Sequence, residues 1–401
     1  MNDVVKTRWP VVTVAVMAGV VGSLQVGKAP PVLDVLMAEF DLSLSLAGWV
    51  LSTVGLTGAL FGLLAGSVSD RIGHRRTVFF SLLFIIAGCL LGAISKDVIT
   101  LLTSRFLESI GFVGVVVSIP SILMRVITSR DQRLVFGIWA GYMPFGMAVM
   151  MATVPLLLVQ TDWRGIWLFN ALITAILLVF FMYMTRNLPK RQGPQASTKI
   201  LVAMIRVLSR PGPWLLAACF MAYAGQWAAL MSWLPTFLGE VSGNSMATAA
   251  LLTALVVFVN VPGNLFGGWL LQRNFTRWHL VAFGSLCMAC FGYGVFVDGV
   301  SDTMRIIFAV AFSFTGGLLP TTLLSGAVLH SPTPELTATT NGVIINGANT
   351  GTLLGPPALG TLVALVGGWQ ATGVAIAIGG GLAIIFAILL GVVERRLQTN
   401  N

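Results

Sequence analysis

Arg105 and Glu108 lie three positions apart in "RFLESIGFVGVVVSIPS" (105–121), a stretch that is otherwise apolar or small. On a helix that spacing puts both side chains on one face. An ionisable group inside a membrane span costs about 2.5–3.5 kcal/mol on insertion scales, which makes it a candidate for function. A guanidinium there can hold an anion through paired hydrogen bonds. A carboxylate there can carry a proton along the pathway. Lys28, in the outer part of the first apolar run, is a second cation for the same site, and Asp34 is a second carboxylate for the proton. Plainer readings stand beside these. Arg105 and Glu108 can be an ion pair that only orients its helix, and Lys28 can snorkel to the interface. Arg305 reads as an outer-interface anchor beside Asp302.

Uncharged polar and aromatic residues complete a candidate substrate pocket: Gln25, Trp139, Tyr142, Gln226, Trp227, Asn260, Asn264, Asn346 and Asn349. Taken singly, each fits a helix–helix hydrogen bond or a packing role as well as a ligand contact. Other chemistries find little support. No G-x-x-x-x-G-K-[ST] loop is present, which argues against a nucleotide-driven pump. Cys287 and Cys290 have C-x-x-C spacing, but no second pair or histidine cluster accompanies them, so small packing residues are the better reading. His74, His279 and His330 fall at the edges of apolar runs, where surface roles are expected. No cofactor, metal or enzymatic activity is expected.

These residues need helices in a bilayer to position them. Hydrophobic residues make up 56% of the chain and charged residues 9%. A soluble domain carries about 25% charged residues, so this chain cannot solvate a water-facing surface. Its runs are continuously apolar, which excludes the period-two pattern of a membrane barrel. The net charge of +9 sits in short loops between apolar runs, so the expected partner is the bilayer and a small-molecule substrate, not nucleic acid. Spans of about 20 residues are expected at 10–33, 45–67, 77–95, 98–124, 134–158, 164–186, 211–238, 246–270, 279–298, 303–329, 338–366 and 369–393. The first follows Lys6 and Arg8 and has no convincing cleavage site, so it is expected to be retained. The segment 187–210 is basic and contains proline and glycine. It divides the chain into an N-terminal six-helix bundle (1–186) and a C-terminal one (211–401).

With the N-terminus in the cytoplasm, 18 of the 23 lysines and arginines fall inside, while the outer loops carry mostly acids. Positive charge marks the cytoplasmic side, so both termini are expected there, in a multi-pass protein of the inner (cytoplasmic) membrane. The halves also share landmarks at offsets of 200 to 206. "GALFG" (58–62) recurs as "GNLFG" (263–267), Arg105 and Pro120 recur as Arg305 and Pro320, and Trp163 recurs as Trp369. Parallel six-helix repeats place a substrate site at their interface near the midplane.

The loop "GSVSDRIGHRR" (66–76) packs five potentially charged residues into the seven positions from Asp70 to Arg76. Gly66-x-x-x-Asp70-Arg71-x-Gly73-x-Arg75-Arg76 resembles the signature loop of the major facilitator superfamily. The resemblance implies an all-α membrane fold of twelve helices in two six-helix bundles. It also implies that the loop latches the halves on the cytoplasmic side, with Arg130 or Arg133 as partners of Asp70. A degenerate copy at 267–277 lacks the aspartate. "RFLESIGFVG" resembles the family's helix-four signature, with glycines displaced to Gly111 and Gly114. "WAGYMPFGMA" (139–148) lacks the Gly-x-x-x-Gly-Pro pattern of drug/proton antiporters, which weakens an efflux reading. "QVGKAPPVL" and "GIWAGYMPFG" look most like the cyanate/nitroimidazole-type branch.

The expectation is therefore a monomeric secondary transporter. It takes up a small organic or inorganic anion by alternating access, with a proton as the candidate coupling ion. An exporter of drugs or metabolites is the alternative, served by an adaptable Met- and Trp-rich lining. A receptor is the least favoured class, because no soluble signalling domain is attached.

Overall fold

In the lipid core every backbone N–H and C=O must be satisfied within its own segment, so apolar runs of this length become helices. The computed structural model describes residues 6–188, 200–333 and 336–399, and these fold into twelve long rods. They are α1 (Trp9–Phe40), α2 (44–72), α3 (His74–Ala93), α4 (Val98–Leu123), α5 (132–158), α6 (Trp163–Met184), α7 (Pro211–Ser242), α8 (Met246–Gln272), α9 (Arg277–Val295), α10 (Asp302–His330), α11 (Thr337–Val366) and α12 (Gln370–Thr399). Among the described residues, ten helices are long and apolar enough to cross a membrane, with an eleventh crossing if the two pieces of α5 count as one. α11 is 30 residues long but falls short in hydropathy, because asparagines and threonines occupy much of it. Most of the expected linker, residues 189–199, lies outside the described residues. Its end is a short helix, Ile200–Leu208, whose Val207 packs on Leu336 and Val343.

Several rods are broken, and at three of the breaks a proline lies at or just after the interruption. Proline lacks an N–H and removes one helical bond. α1 passes through a 3-10 turn at Pro30–Val32. α5 bends by 48° at Gly141, three residues before Pro144. α8 breaks at Val259, three residues before Pro262. α2 is interrupted by a 3-10 turn at Thr53–Gly55 without a proline; side chains from α4, described below, satisfy the groups this frees.

The internal repeat is visible as matched clamps. Trp163 donates its indole N–H to Glu39 at 2.6 Å, tying α6 to α1, and Trp369 donates to Glu240 at 2.8 Å, tying α12 to α7. Ser43 and Ser245 cap the starts of α2 and α8 through the N–H groups of Leu46 and Thr248. Arg75 in the first turn of α3 bonds Thr185 and Met182 at the end of α6, and Arg277 in the first turn of α9 pairs with Glu394 on α12. The duplicated "G-x-L-F-G" glycines have diverged: Gly58 and Gly62 face Asn349 of the opposite half, whereas Gly263 and Gly267 face α10 of their own half.

Twelve rods in alternation put the start of α1, which Arg8 ties to the end of α6, on the same face as the end of α12, which Glu394 ties to the start of α9. On the other, far face the two halves are closed. Asp34 accepts from Thr236 at 2.8 Å, and Ser45 accepts from Thr361 at 2.8 Å. A Cβ on Gly48 would lie 2.5 Å from Cα of Pro357. Gly48→Val therefore conflicts with the closed far face. It is expected to favour the opposite state and to speed labelling of a cysteine at 361 by an impermeant thiol reagent, in a background without the native cysteines. Labelling at the parental rate would contradict this role of the α2–α11 contact.

Candidate substrate pathway and buried charge cluster

The helix-four pair does not stand alone. Glu108 bridges two cations: its Oε1 accepts from Lys28 Nζ at 2.6 Å and its Oε2 from Arg105 Nη1 at 2.6 Å. All three side chains are fully buried. Lys28 also donates to Gln25 Oε1 at 2.8 Å and lies 4.4 Å from the ring centroid of Trp167. Gln25 in turn donates to Asn170 of α6 at 3.2 Å. Glycines on α3 allow this crowding, since a Cβ on Gly88 would lie 2.7 Å from Cγ of Glu108 and one on Gly92 would strike the Trp167 indole. The cluster carries a formal charge of +1, and Arg105 Nη2 has no hydrogen-bond partner among the described residues.

α4 also stitches the break in α2. Arg105 Nε donates to the Val50 carbonyl at 3.3 Å, and one helical turn further on Ser109 donates to the Val54 carbonyl at 2.7 Å. Ser109 accepts from the Thr57 N–H at 3.1 Å. Arg105 Nη1 additionally reaches the Gln25 carbonyl at 2.7 Å. One guanidinium thus joins α1, α2 and Glu108. The opposite side of α2 is the inter-half contact, so the cluster lies one helix away from the interface between the halves.

The sequence-based candidates separate into four groups. Lys28, Gln25, Arg105 and Glu108 come together inside the N-terminal half; Lys28 does not snorkel. Asn346 and Asn349 meet the N-terminal half across the interface, whereas Trp139 and Tyr142 pack on α1 within their own half. Trp139 and Tyr142 stack at 4.3 Å against Gly19, Asn346 donates to the Ala59 carbonyl at 2.8 Å, and Asn349 packs on Gly58. Gln226, Trp227 and Asn260 are engaged inside the C-terminal half. Gln226 lies against Gly379, Trp227 donates to Ser313 at 3.2 Å, and Asn260 donates to Tyr223 Oη and the Ser313 carbonyl. Asp34 belongs to the far-face closure and not to the charge cluster.

The latch residues are distributed as follows. Gly73 has φ +94°, a conformation L side chains rarely adopt, and makes the reversal between α2 and α3. Arg71 and Arg130 are exposed, and Arg75 is committed to α6 of its own half. The side chains at Gly66, Asp70 and Arg133 lie outside the described residues. Three expectations need correction. Arg305 is buried and donates to the carbonyls of Val295 and Val300, closing the end of α9, while Asp302 accepts from Ser242 instead. His74 is buried against Ser69, and His330 is buried beside Glu394. Their position at span edges hid the neighbours that cover them. Sequence reading also missed Ser109, Asn170 and the Trp–Glu clamps.

The sequence profile of the Major Facilitator Superfamily matches residues 13–356. This chain belongs to that superfamily. The cyanate transport protein CynX of Escherichia coli (strain K12) is 25% identical over 57% of this chain and 58% of its own length. The probable nitrate/nitrite antiporter NarK1 of Thermus thermophilus is 28% identical over 59% of this chain and 55% of its own. The match therefore spans a little over half the length of these two relatives. Among solved structures, a bacterial homologue of the human lysosomal transporter Spinster superposes with a TM-score of 0.73 at 18% identity, covering 96% of this chain and 95% of that one. At that identity the likeness is one of fold.

Proposed function

We propose that this major facilitator carries a small organic or inorganic anion together with a proton, by alternating access across the cytoplasmic membrane. The termini face is cytoplasmic in this reading, as the distribution of lysine and arginine requires. The observation that carries the proposal is the buried Lys28–Glu108–Arg105 cluster with its excess positive charge. A net cation in a low-dielectric bundle attracts an anion strongly. Glu108 is the counter-ion of both cations. A proton on Glu108 leaves both without it, and an arriving anion replaces what the proton removed. Charge balance thus couples the two ligands. Arg105 transmits the change, because it holds the α2 break whose other side packs on α11. The relatives named for cyanate and for nitrate/nitrite support a small anion as the substrate class.

Counterflow in liposomes tests this reading. Uptake of a labelled small anion such as cyanate or nitrate should be accelerated by an inward proton gradient. Resistance to lipophilic cations on overexpression, with no anion counterflow, would instead indicate an exporter. Arg105→Ala is expected to abolish counterflow while the protein remains membrane-inserted. Wild-type uptake in that variant would remove the cluster from the mechanism.

A further inference from the structure

A second feature lies away from the transport path, on the lipid-facing side of the N-terminal half. α1 and α6 leave a groove of about 460 Å³ between them, lined by Pro10, Val14, Met17, Ile173, Leu177 and Phe180 among other apolar side chains. It runs along α1 from Pro10 to Val21. At 1.5 Å per residue that is about 17 Å, close to the ~15 Å depth of one leaflet's hydrocarbon. The end of the groove nearest the termini face is amphipathic. Trp9 is 42% exposed and Tyr183 is 56% exposed, as aromatic residues at a membrane interface are.

Just beyond these two rings the charge is positive. Arg8 on α1 donates from Nη1 to the Asn187 carbonyl at 3.1 Å, bridging the mouth of the groove to the end of α6. Arg186, the preceding residue, is exposed, with its guanidinium 4.5 Å from the Tyr183 ring centroid. Lys6 is exposed nearby in the chain. The acid facing this end, Asp131, already accepts from the hydroxyls of Thr7 and Thr128.

We propose that this groove is a binding site for one anionic phospholipid. An acyl chain lies between α1 and α6, the glycerol lies at the level of Trp9 and Tyr183, and the phosphate sits between Arg8 and Arg186. Basic pockets between spans attract anionic headgroups, and an apolar slot of leaflet depth accepts the acyl chain of the same lipid. The site is independent of what the carrier transports.

Native mass spectrometry and thermal shift of the detergent-solubilised full chain, with added phosphatidylglycerol or phosphatidylcholine, test the proposal. Phosphatidylglycerol should be retained and stabilise more than phosphatidylcholine. Arg8→Gln/Arg186→Gln should weaken phosphatidylglycerol binding by about thirtyfold and leave phosphatidylcholine unchanged. Arg186→Gln alone should give part of that loss, independently of the Arg8 bridge to α6. Thr13→Trp/Ile176→Trp, which fills the groove from its exposed side, should reduce retention of both lipids. Equal retention of the two lipids by the parent protein would overturn the site. So would full stabilisation by inorganic phosphate alone, because the acyl groove would then contribute nothing.

Discussion

Glu108→Gln is expected to cost about 3–5 kcal/mol of stability and to eliminate proton-driven uptake, because it leaves two buried cations without a counter-charge. Lys28 Nζ and Arg105 Nη1 both rely on this carboxylate at 2.6 Å. Thermal unfolding in detergent measures the first effect and liposome counterflow the second. Lys28→Met/Glu108→Gln removes one cation with the acid and restores the wild-type net charge of the cluster. That variant should recover much of the lost stability but not the proton dependence. If Glu108→Gln melts with the parent protein, the bridge between Lys28 and Arg105 does not hold the N-terminal half together.

Cross-linking the far face should stop the cycle. Ser45 Oγ and Thr361 Oγ1 are 2.8 Å apart across the two halves. Cysteines at these positions are close enough to bond with little backbone movement. In a background lacking the native cysteines, including the exposed Cys290, oxidation of Ser45→Cys/Thr361→Cys should lower counterflow by roughly tenfold or more, since the halves can no longer rock apart there. A reductant should restore the rate. Each single variant should be insensitive to oxidation. Unimpaired transport by the cross-linked protein would mean that α2 and α11 need not separate at this point, and the alternating-access reading would fail.

The largest part of the architecture was legible without coordinates, for a physical reason. A bilayer imposes one rule on every span: an apolar run of sufficient length with its backbone bonds closed within itself. Composition therefore locates the rods. The offsets near 200 disclosed the duplication, and the structure embodies it in the paired clamps Trp163–Glu39 and Trp369–Glu240. The unusual cost of a charge in lipid singled out Lys28, Arg105 and Glu108 for the same reason.

What the tertiary structure decided is the direction in which each of these side chains points. The lipid-facing and helix-facing sides of a span are both apolar, so sequence carries only a weak record of helix rotation. Partners are chosen by close approach of small residues from distant parts of the chain. Gly88 and Gly92 on α3 admit Glu108 and Trp167, and that is why Lys28 turns inward instead of reaching for the interface. Asn346 and Asn260 look alike in sequence, yet one bonds across the halves and the other within its own. The α2 break has no proline to announce it, and its repair by Ser109 and Arg105 depends on matched turns of two helices. Sequence by itself determined how many rods there are, where they are apolar and which charges are costly; only packing determined which of them meet.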